Sequence, residues 1–197
     1  MANVLVPLAQ GCEELEAVTI IDLLRRAGIN VITAGLDDQA VKASRGTVLI
    51  PDTNLDAVMQ HEFDMIVLPG GLPGSDHLNN DPRIHTLLKQ MTKADKYTAA
   101  ICAAPKVLAT AGLLNSKRAT SYPGSIEGIE TQDMVYEEQA VVIDGKLITS
   151  RGPGTAMDFA LSLIEELAGK AKRDEVEAPL QRPVSYTHLT LPTIYSV

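Results

Sequence analysis

The sequence predicts one three-layer α/β domain, in which a mostly parallel β-sheet is covered by helices on both faces. Strand-like and helix-like segments alternate along most of the 197 residues, a pattern typical of parallel sheets with helical crossovers. Hydrophobic residues make up 45% of the chain, which is enough to fill a substantial core. We assign this domain to residues 1–183.

The predicted strands are short apolar runs, as expected of strands buried on both faces of a sheet. The dipeptide Asp144-Gly145 between two such runs predicts a hairpin, and a β-ribbon is expected within Val41–Ile50. The predicted strands are Asn3–Leu8, Asn30–Ala34, Asp64–Leu68, Tyr97–Ile101, Ala140–Ile143 and Lys146–Thr149.

The predicted helices carry apolar residues at helical spacing, with recognisable start and stop residues. In the first helix, acids occupy the first turn and arginines the last, which suits the helix dipole, and Gly28 follows as a stop. Asp81 and Pro82 form a typical opening for another helix. The predicted helices are Glu13–Ala27, Asp81–Ala94, Ala104–Ala111 and Thr155–Ala168.

The last 14 residues, Val184–Val197, break this pattern because they contain no Asp, Glu, Lys or Arg and follow Pro183 without helical periodicity. One interpretation is an edge strand or an ordered arm. We prefer a non-native appendage, since the stretch resembles translated sequencing-adapter sequence, and we leave it out of the fold prediction.

Composition argues against several functional classes. The net charge of −8 disfavours nucleic-acid binding, and no apolar run reaches the roughly 18 residues of a membrane span. The N-terminus has no basic leader, and two distant cysteines form no disulfide framework, so we expect a cytoplasmic protein. No zinc-binding spacing of Cys or His is present, so we expect no metal.

Three segments meet at the carboxyl edge of the predicted sheet: Gly11–Glu16, Leu68–Gly71 and Ala100–Pro105. Cys102 lies at a strand-to-helix turn in the third, where helix N–H groups and the dipole favour the reactive thiolate. Backbone N–H groups of Gly71 and Ala103 are then placed to stabilise an oxyanion. The alternative is an inert, buried Cys102.

Two further choices stay open from the residues alone. Cys12 competes as the nucleophile, although the neighbouring Glu13 opposes its ionisation. Helical spacing puts Glu13 and Glu16 on one side, with Glu14 turned away, but it does not say which of the pair faces the cysteine.

The motifs together resemble the ThiJ/PfpI superfamily, and within it the branch of the human parkinsonism-associated protein deglycase and bacterial YajL. The resemblance spans roughly Val4 to Pro183. It rests on GCEELEAVTIIDLLRRAGINV, SRG, DMIVLPGG, AAICAAP and TSRGPGTAMDFAL.

The resemblance implies a flavodoxin-like homodimer without metal or organic cofactor. By position, Cys102 matches the nucleophile and redox cysteine, and Glu16 matches the acid that contacts it. Gly71 and Ala103 match the oxyanion donors, while Glu13 and Arg45 match residues near the site and the dimer interface.

The activities that the resemblance implies are glutathione-independent glyoxalase, protein deglycase, chaperone and oxidative-stress sensor. We expect an enzyme acting on small 2-oxoaldehydes, with a redox sensor or redox-regulated chaperone as the alternative. Two departures bear on this: Ala103 replaces the histidine that protease-like members place after the cysteine, and Tyr122 replaces a histidine of the human-type member.

Overall fold

The alternating apolar segments form the predicted three-layer sandwich in a computed structural model of the chain, which describes residues 1–182. The predicted appendage, residues 184–197, lies outside the described residues, so its nature stays a prediction.

The described chain contains eleven strands and seven α-helices, with 3₁₀ turns at Pro153–Thr155 and Ala178–Leu180. The strands are β1 (Asn3–Leu8), β2 (Asn30–Gly35), β3 (Val41–Lys42), β4 (Val48–Leu49), β5 (Thr53–Asn54), β6 (Met65–Leu68), β7 (Tyr97–Ile101), β8 (Arg118–Ala119), β9 (Val135–Tyr136), β10 (Val141–Asp144) and β11 (Leu147–Ser150). The helices are α1 (Glu14–Arg26), α2 (Leu55–Val58), α3 (Gly74–Asn80), α4 (Pro82–Lys93), α5 (Pro105–Thr110), α6 (Ala156–Ala168) and α7 (Lys170–Glu177).

The main sheet has seven strands in the order β10-β11-β7-β6-β1-β2-β5. All neighbouring pairs are parallel except β10 and β11, which form the predicted antiparallel hairpin around Asp144-Gly145. The carboxyl ends of β1, β6, β7 and β11 therefore share one edge, and the loops that follow them meet there.

Each face of the sheet has its own apolar core, because side chains of a strand alternate between the two faces. Val4 and Val6 of β1 belong to the core on the α1 and α6 side, whereas Leu5 belongs to the core on the α3, α4 and α5 side. The first core includes Ile20, Leu24, Phe159 and Ile164, and the second includes Ile66, Leu78, Leu88 and Leu108.

The predicted helix ends agree with the structure to within a residue or two. Asp81 caps α4 as expected, since its carboxylate accepts a hydrogen bond from the Arg83 amide over 2.9 Å. Helices α2, α3 and α7 were not predicted. Among residues 1–182, no helix is long and apolar enough to cross a membrane.

Candidate active site

The predicted strand-to-helix turn, which we call the elbow, is present at Cys102 between the end of β7 and the start of α5. Cys102 adopts φ 63, in the left-handed region that residues with a side chain rarely occupy. Its amide donates to the Ser150 carbonyl over 2.9 Å, and its carbonyl accepts from the Tyr122 amide over 2.8 Å. The turn places the side chain at the carboxyl edge of the sheet, with 9% of the residue exposed.

Glu16, on α1, is the acid that faces this cysteine. It is fully buried, and one carboxyl oxygen, Oε2, accepts a hydrogen bond from the Gly70 amide over 2.9 Å. The other oxygen, Oε1, has no hydrogen-bond partner among the described residues. Burial raises the pKa of Glu16 to about 7, against the lowering effect of hydrogen bonds from Cys102 and Gly70. A carboxyl of this kind exchanges protons near neutral pH.

The pKa of the Cys102 thiol is raised, whereas the sequence predicted that it would be lowered. Burial, followed by the charge of Glu16 and a hydrogen bond with it, raises the thiol pKa to about 12. The amides of Gly71 and Ala103 lower it, as expected, but they are outweighed. The prediction that the helix N-terminus lowers this pKa is therefore wrong for Cys102 facing an ionised Glu16. The helix behind it, α5, has only six residues.

Cys102 and Glu16 nevertheless titrate as a pair, since each changes the charge that the other experiences. Protonation of Glu16 removes the carboxylate charge that opposes ionisation of the thiol. The form of the pair that has lost one proton can carry its negative charge on sulfur, where the Gly71 and Ala103 amides stabilise it.

The Gly70 backbone lies against both members of this pair, whereas the sequence alone predicted a role only for its neighbour Gly71. A Cβ atom added at Gly70 would lie 2.6 Å from the Cys102 Cβ and 2.7 Å from Glu16 Oε2. Gly71 is equally constrained, with φ 93 and a virtual Cβ 2.4 Å from the Glu13 amide nitrogen. The sequence Pro69-Gly70-Gly71 after β6 could have indicated that both positions need glycine, because the structure leaves no room for a Cβ atom at either.

Glu13 and Glu14 form hydrogen bonds with the hairpin of β3 and β4. Glu13 is the N-cap residue of α1, and its Oε2 accepts a hydrogen bond from Ser44 Oγ over 2.8 Å. Its charge also contributes to the raised pKa of Glu16, after burial. Glu14 accepts from Ser44 Oγ and from the Arg45 and Thr47 amides, over 3.0 to 3.3 Å. Partial burial raises the pKa of Glu14, but backbone hydrogen bonds outweigh it and lower the pKa to about 2.

Arg45 therefore contacts Glu14 through its backbone amide, whereas its side chain is exposed. Glu14, which sequence analysis left without a role, anchors the hairpin.

Cys12 is the less accessible of the two cysteines, with 1% of the residue exposed against 9% for Cys102. Burial, with the nearby charge of Glu14, raises its pKa to about 12. The value equals that of Cys102, so accessibility and the amide donors distinguish the two thiols.

Tyr122 is exposed, and its backbone lies beside Cys102 because its amide donates to the Cys102 carbonyl. Its ring lies against Gly152, whose virtual Cβ would be 3.5 Å from Tyr122 Cδ2. Ala103 is buried beside the nucleophile and contributes its amide. Within residues 1–182, no three His, Cys, Asp or Glu side chains converge as metal ligands would.

The chain is similar to proteins of one family, both in sequence and in structure. The Drosophila melanogaster protein dj-1beta is 47% identical over 175 residues, covering 88% of this chain and 94% of the relative. A Caenorhabditis elegans relative named glutathione-independent glyoxalase DJR-1.2 is 37% identical over 179 residues, covering 91% and 95%. The structure of oxidized Toxoplasma gondii DJ-1 superposes with a TM-score of 0.86 at 40% identity, covering 91% of this chain and 98% of that one.

Each of these matches covers about nine-tenths of this chain. Residues 2–166 also match the sequence profile of the DJ-1/PfpI family. The chain belongs to the DJ-1/PfpI family.

Proposed function

We propose that this protein is a glutathione-independent glyoxalase that converts methylglyoxal to lactate. The observation that carries the proposal is the buried pair of Cys102 and Glu16, in which the acid has a pKa of about 7. A relative with that activity in its name, DJR-1.2, supports the choice of substrate class.

The reaction begins with the form of the pair that has lost one proton. Cys102 sulfur adds to the aldehyde carbon, and the new alkoxide takes a proton, giving a hemithioacetal. The amides of Gly71 and Ala103 stabilise the developing oxyanion.

Glu16 then removes the proton from the former aldehyde carbon, giving an enediolate, and returns a proton to the neighbouring carbon. The product of this transfer is a thioester of lactate on Cys102. One water molecule hydrolyses the thioester, which releases lactate and restores the thiol. The overall reaction consumes methylglyoxal and water, and no electrons leave or enter.

The limited exposure of Cys102 favours small aldehydes over large substrates. Deglycase-type chemistry would use the same nucleophile on an amine adduct of the aldehyde, and this larger substrate would then have to reach a cysteine that is only 9% exposed. Free 2-oxoaldehydes are therefore the substrates that this geometry supports best.

The direct test is lactate formation from methylglyoxal without glutathione. Cys102→Ser should abolish it, because an alcohol is not ionised at neutral pH, and the small change should leave the melting temperature close to that of the wild type. Loss of methylglyoxal without equivalent lactate, or wild-type turnover by Cys102→Ser, would refute the assignment.

A redox sensor or redox-regulated chaperone is the second candidate, favoured by the greater exposure of Cys102 and by its hydrogen-bond donors. Oxidation to a sulfinate places oxygen atoms beside the Gly71 and Ala103 amides and protonated Glu16, all of which can donate to it. Peroxide treatment followed by a holdase assay separates this function from turnover of methylglyoxal.

We also propose that the protein forms a homodimer. The outer face of α1 and the β3-β4 hairpin expose apolar side chains, and Val18, Leu49 and Ile50 line a common depression of about 270 Å³. Exposed Leu15 and Val48 extend this apolar face. Sedimentation analysis of the wild type and of Val18→Asp tests it, and a monomeric wild type would contradict it.

A further inference from the structure

A tight turn after β8 holds the carbonyl oxygen of Cys102. The Tyr122 amide donates to this oxygen over 2.8 Å, and the Ser125 hydroxyl donates to it over 3.3 Å. The turn closes on itself, since the Ser125 amide donates to the Tyr122 carbonyl over 3.0 Å. Four consecutive residues therefore provide two donors for one backbone acceptor.

The sequence Tyr122-Pro123-Gly124-Ser125 encodes this turn locally. Proline occupies the second position and glycine the third, where Gly124 has φ 82, as in a type II turn. The turn is therefore preformed by its own residues and does not depend on Cys102 for its shape.

Cys102 needs external support because its φ of 63 is unfavourable for a residue with a side chain. Its amide is anchored to the Ser150 carbonyl at the end of β11, and its carbonyl is anchored to the turn. With both peptide groups held, the direction of the Cα–Cβ bond is fixed, and the sulfur stays facing Glu16 and the Gly71 amide.

We propose that the Tyr122–Ser125 turn positions the nucleophile, and that the Ser125 hydroxyl is the side-chain component of this support. The kinetic consequence rests on the function proposed above. The rate at which iodoacetamide alkylates Cys102 reports the same positioning without any substrate, so failure of the proposed function would not hide failure of this proposal.

The chain offers a matched pair of glycines for the test. Gly124 and Gly128 both occupy the third position of a turn, with φ 82 and 77, and a Cβ at either would meet nothing closer than 3.9 Å. Alanine therefore introduces comparable backbone strain at both positions, but only Gly124 belongs to the turn that holds Cys102.

We expect Gly124→Ala to lower kcat about threefold to tenfold, the range expected for weakening of one hydrogen bond, with little change in KM. Its Cys102 alkylation rate should fall at each pH from 6 to 9. Gly128→Ala should lower the melting temperature by a similar amount while leaving kcat and alkylation at wild-type values.

A second pair of variants isolates the hydroxyl. Ser125→Ala should reduce the Cys102 alkylation rate about twofold to fivefold, because its hydrogen bond is long, and Ser125→Thr should restore it. Ser162→Ala removes a hydroxyl that donates to the Asp158 carbonyl on α6, and it should leave alkylation unchanged. Equal effects of Gly124→Ala and Gly128→Ala, or wild-type alkylation in both Gly124→Ala and Ser125→Ala, would overturn the proposal.

Discussion

Substitution of Gly70 by alanine tests the geometry of the site with a single methyl group. Gly70 lies outside the left-handed region, so alanine imposes no backbone strain there. The new Cβ would lie 2.6 Å from the Cys102 Cβ, whereas ordinary contact begins at 3.4 Å, so the groups must separate by about 0.8 Å. It would also lie 2.7 Å from Glu16 Oε2. The methyl group therefore pushes on both members of the pair.

The expected loss of activity is about 100-fold, since misplacement of reacting groups by about 1 Å costs that much. Overpacking should also destabilise the fold by about 1 to 3 kcal/mol, visible as a drop of roughly 2 to 12 °C in melting temperature. The assay is lactate formation from methylglyoxal, with the melting temperature measured in parallel.

Gly154→Ala is the control, because a Cβ there meets nothing within 4 Å and its φ is not left-handed. It should retain wild-type turnover. Near-wild-type turnover by Gly70→Ala would show that the positions of Cys102 and Glu16 do not depend on their close contact with the Gly70 backbone.

Three further predictions concern the acids and the cysteines. In the folded protein the Glu16 carboxyl stays protonated to a higher pH than in the unfolded chain. Its contribution to stability is therefore present below the unfolded pKa of about 4.5 and is lost as pH rises through about 7. The free energy of unfolding of the wild type should therefore fall relative to Glu16→Gln by up to about 3 kcal/mol across that range in denaturant titrations, and a constant difference would contradict it. Glu14 has the opposite shift, so Glu14→Gln should lower the melting temperature at pH 7, and the deficit should shrink as pH falls from about 4 toward 2. If the deficit is absent at pH 7, Glu14 does not anchor the hairpin. Dilute peroxide should oxidise Cys102 before Cys12, because Cys12 is almost inaccessible; peptide mass spectrometry showing the reverse order would reopen the choice of nucleophile.

Local patterns in the sequence were sufficient to predict most of the sheet and its covering helices. Strands β1 and β7 have the predicted ends, since each is a short apolar run of the kind that is buried in a parallel sheet. Helix α3 was not predicted, since its sequence GSDHLNN has no apolar period and begins at a glycine. Its first residue is fixed by packing, with Gly74 against the Cys12 backbone, a contact that local sequence does not encode.

The site was predicted in part. The elbow motif located Cys102, and the structure decided between the two open acids by burying Glu16 against the Gly70 amide. The lowered thiol pKa was predicted wrongly, because a helix N-terminus is visible in the sequence whereas the extent of burial and the facing carboxylate are not. The roles of Gly70 and Glu14 depend on approaches between distant segments and were missed for the same reason.

The central claim is that Cys102 and Glu16 share their protons as one pair. The most direct measurement is the pH dependence of Cys102 alkylation by iodoacetamide, in the wild type and in Glu16→Gln, with Cys12 followed separately by mass spectrometry. We predict that wild-type reactivity rises as pH passes through about 7 and then levels off, because the pair has lost its first proton and a fixed fraction of it carries the charge on sulfur. Glu16→Gln should lack this step, and its reactivity should rise steadily toward a single thiol pKa that is lower than in the wild type, because the opposing carboxylate charge is gone. Retention of the step near pH 7 in Glu16→Gln would contradict the pairing.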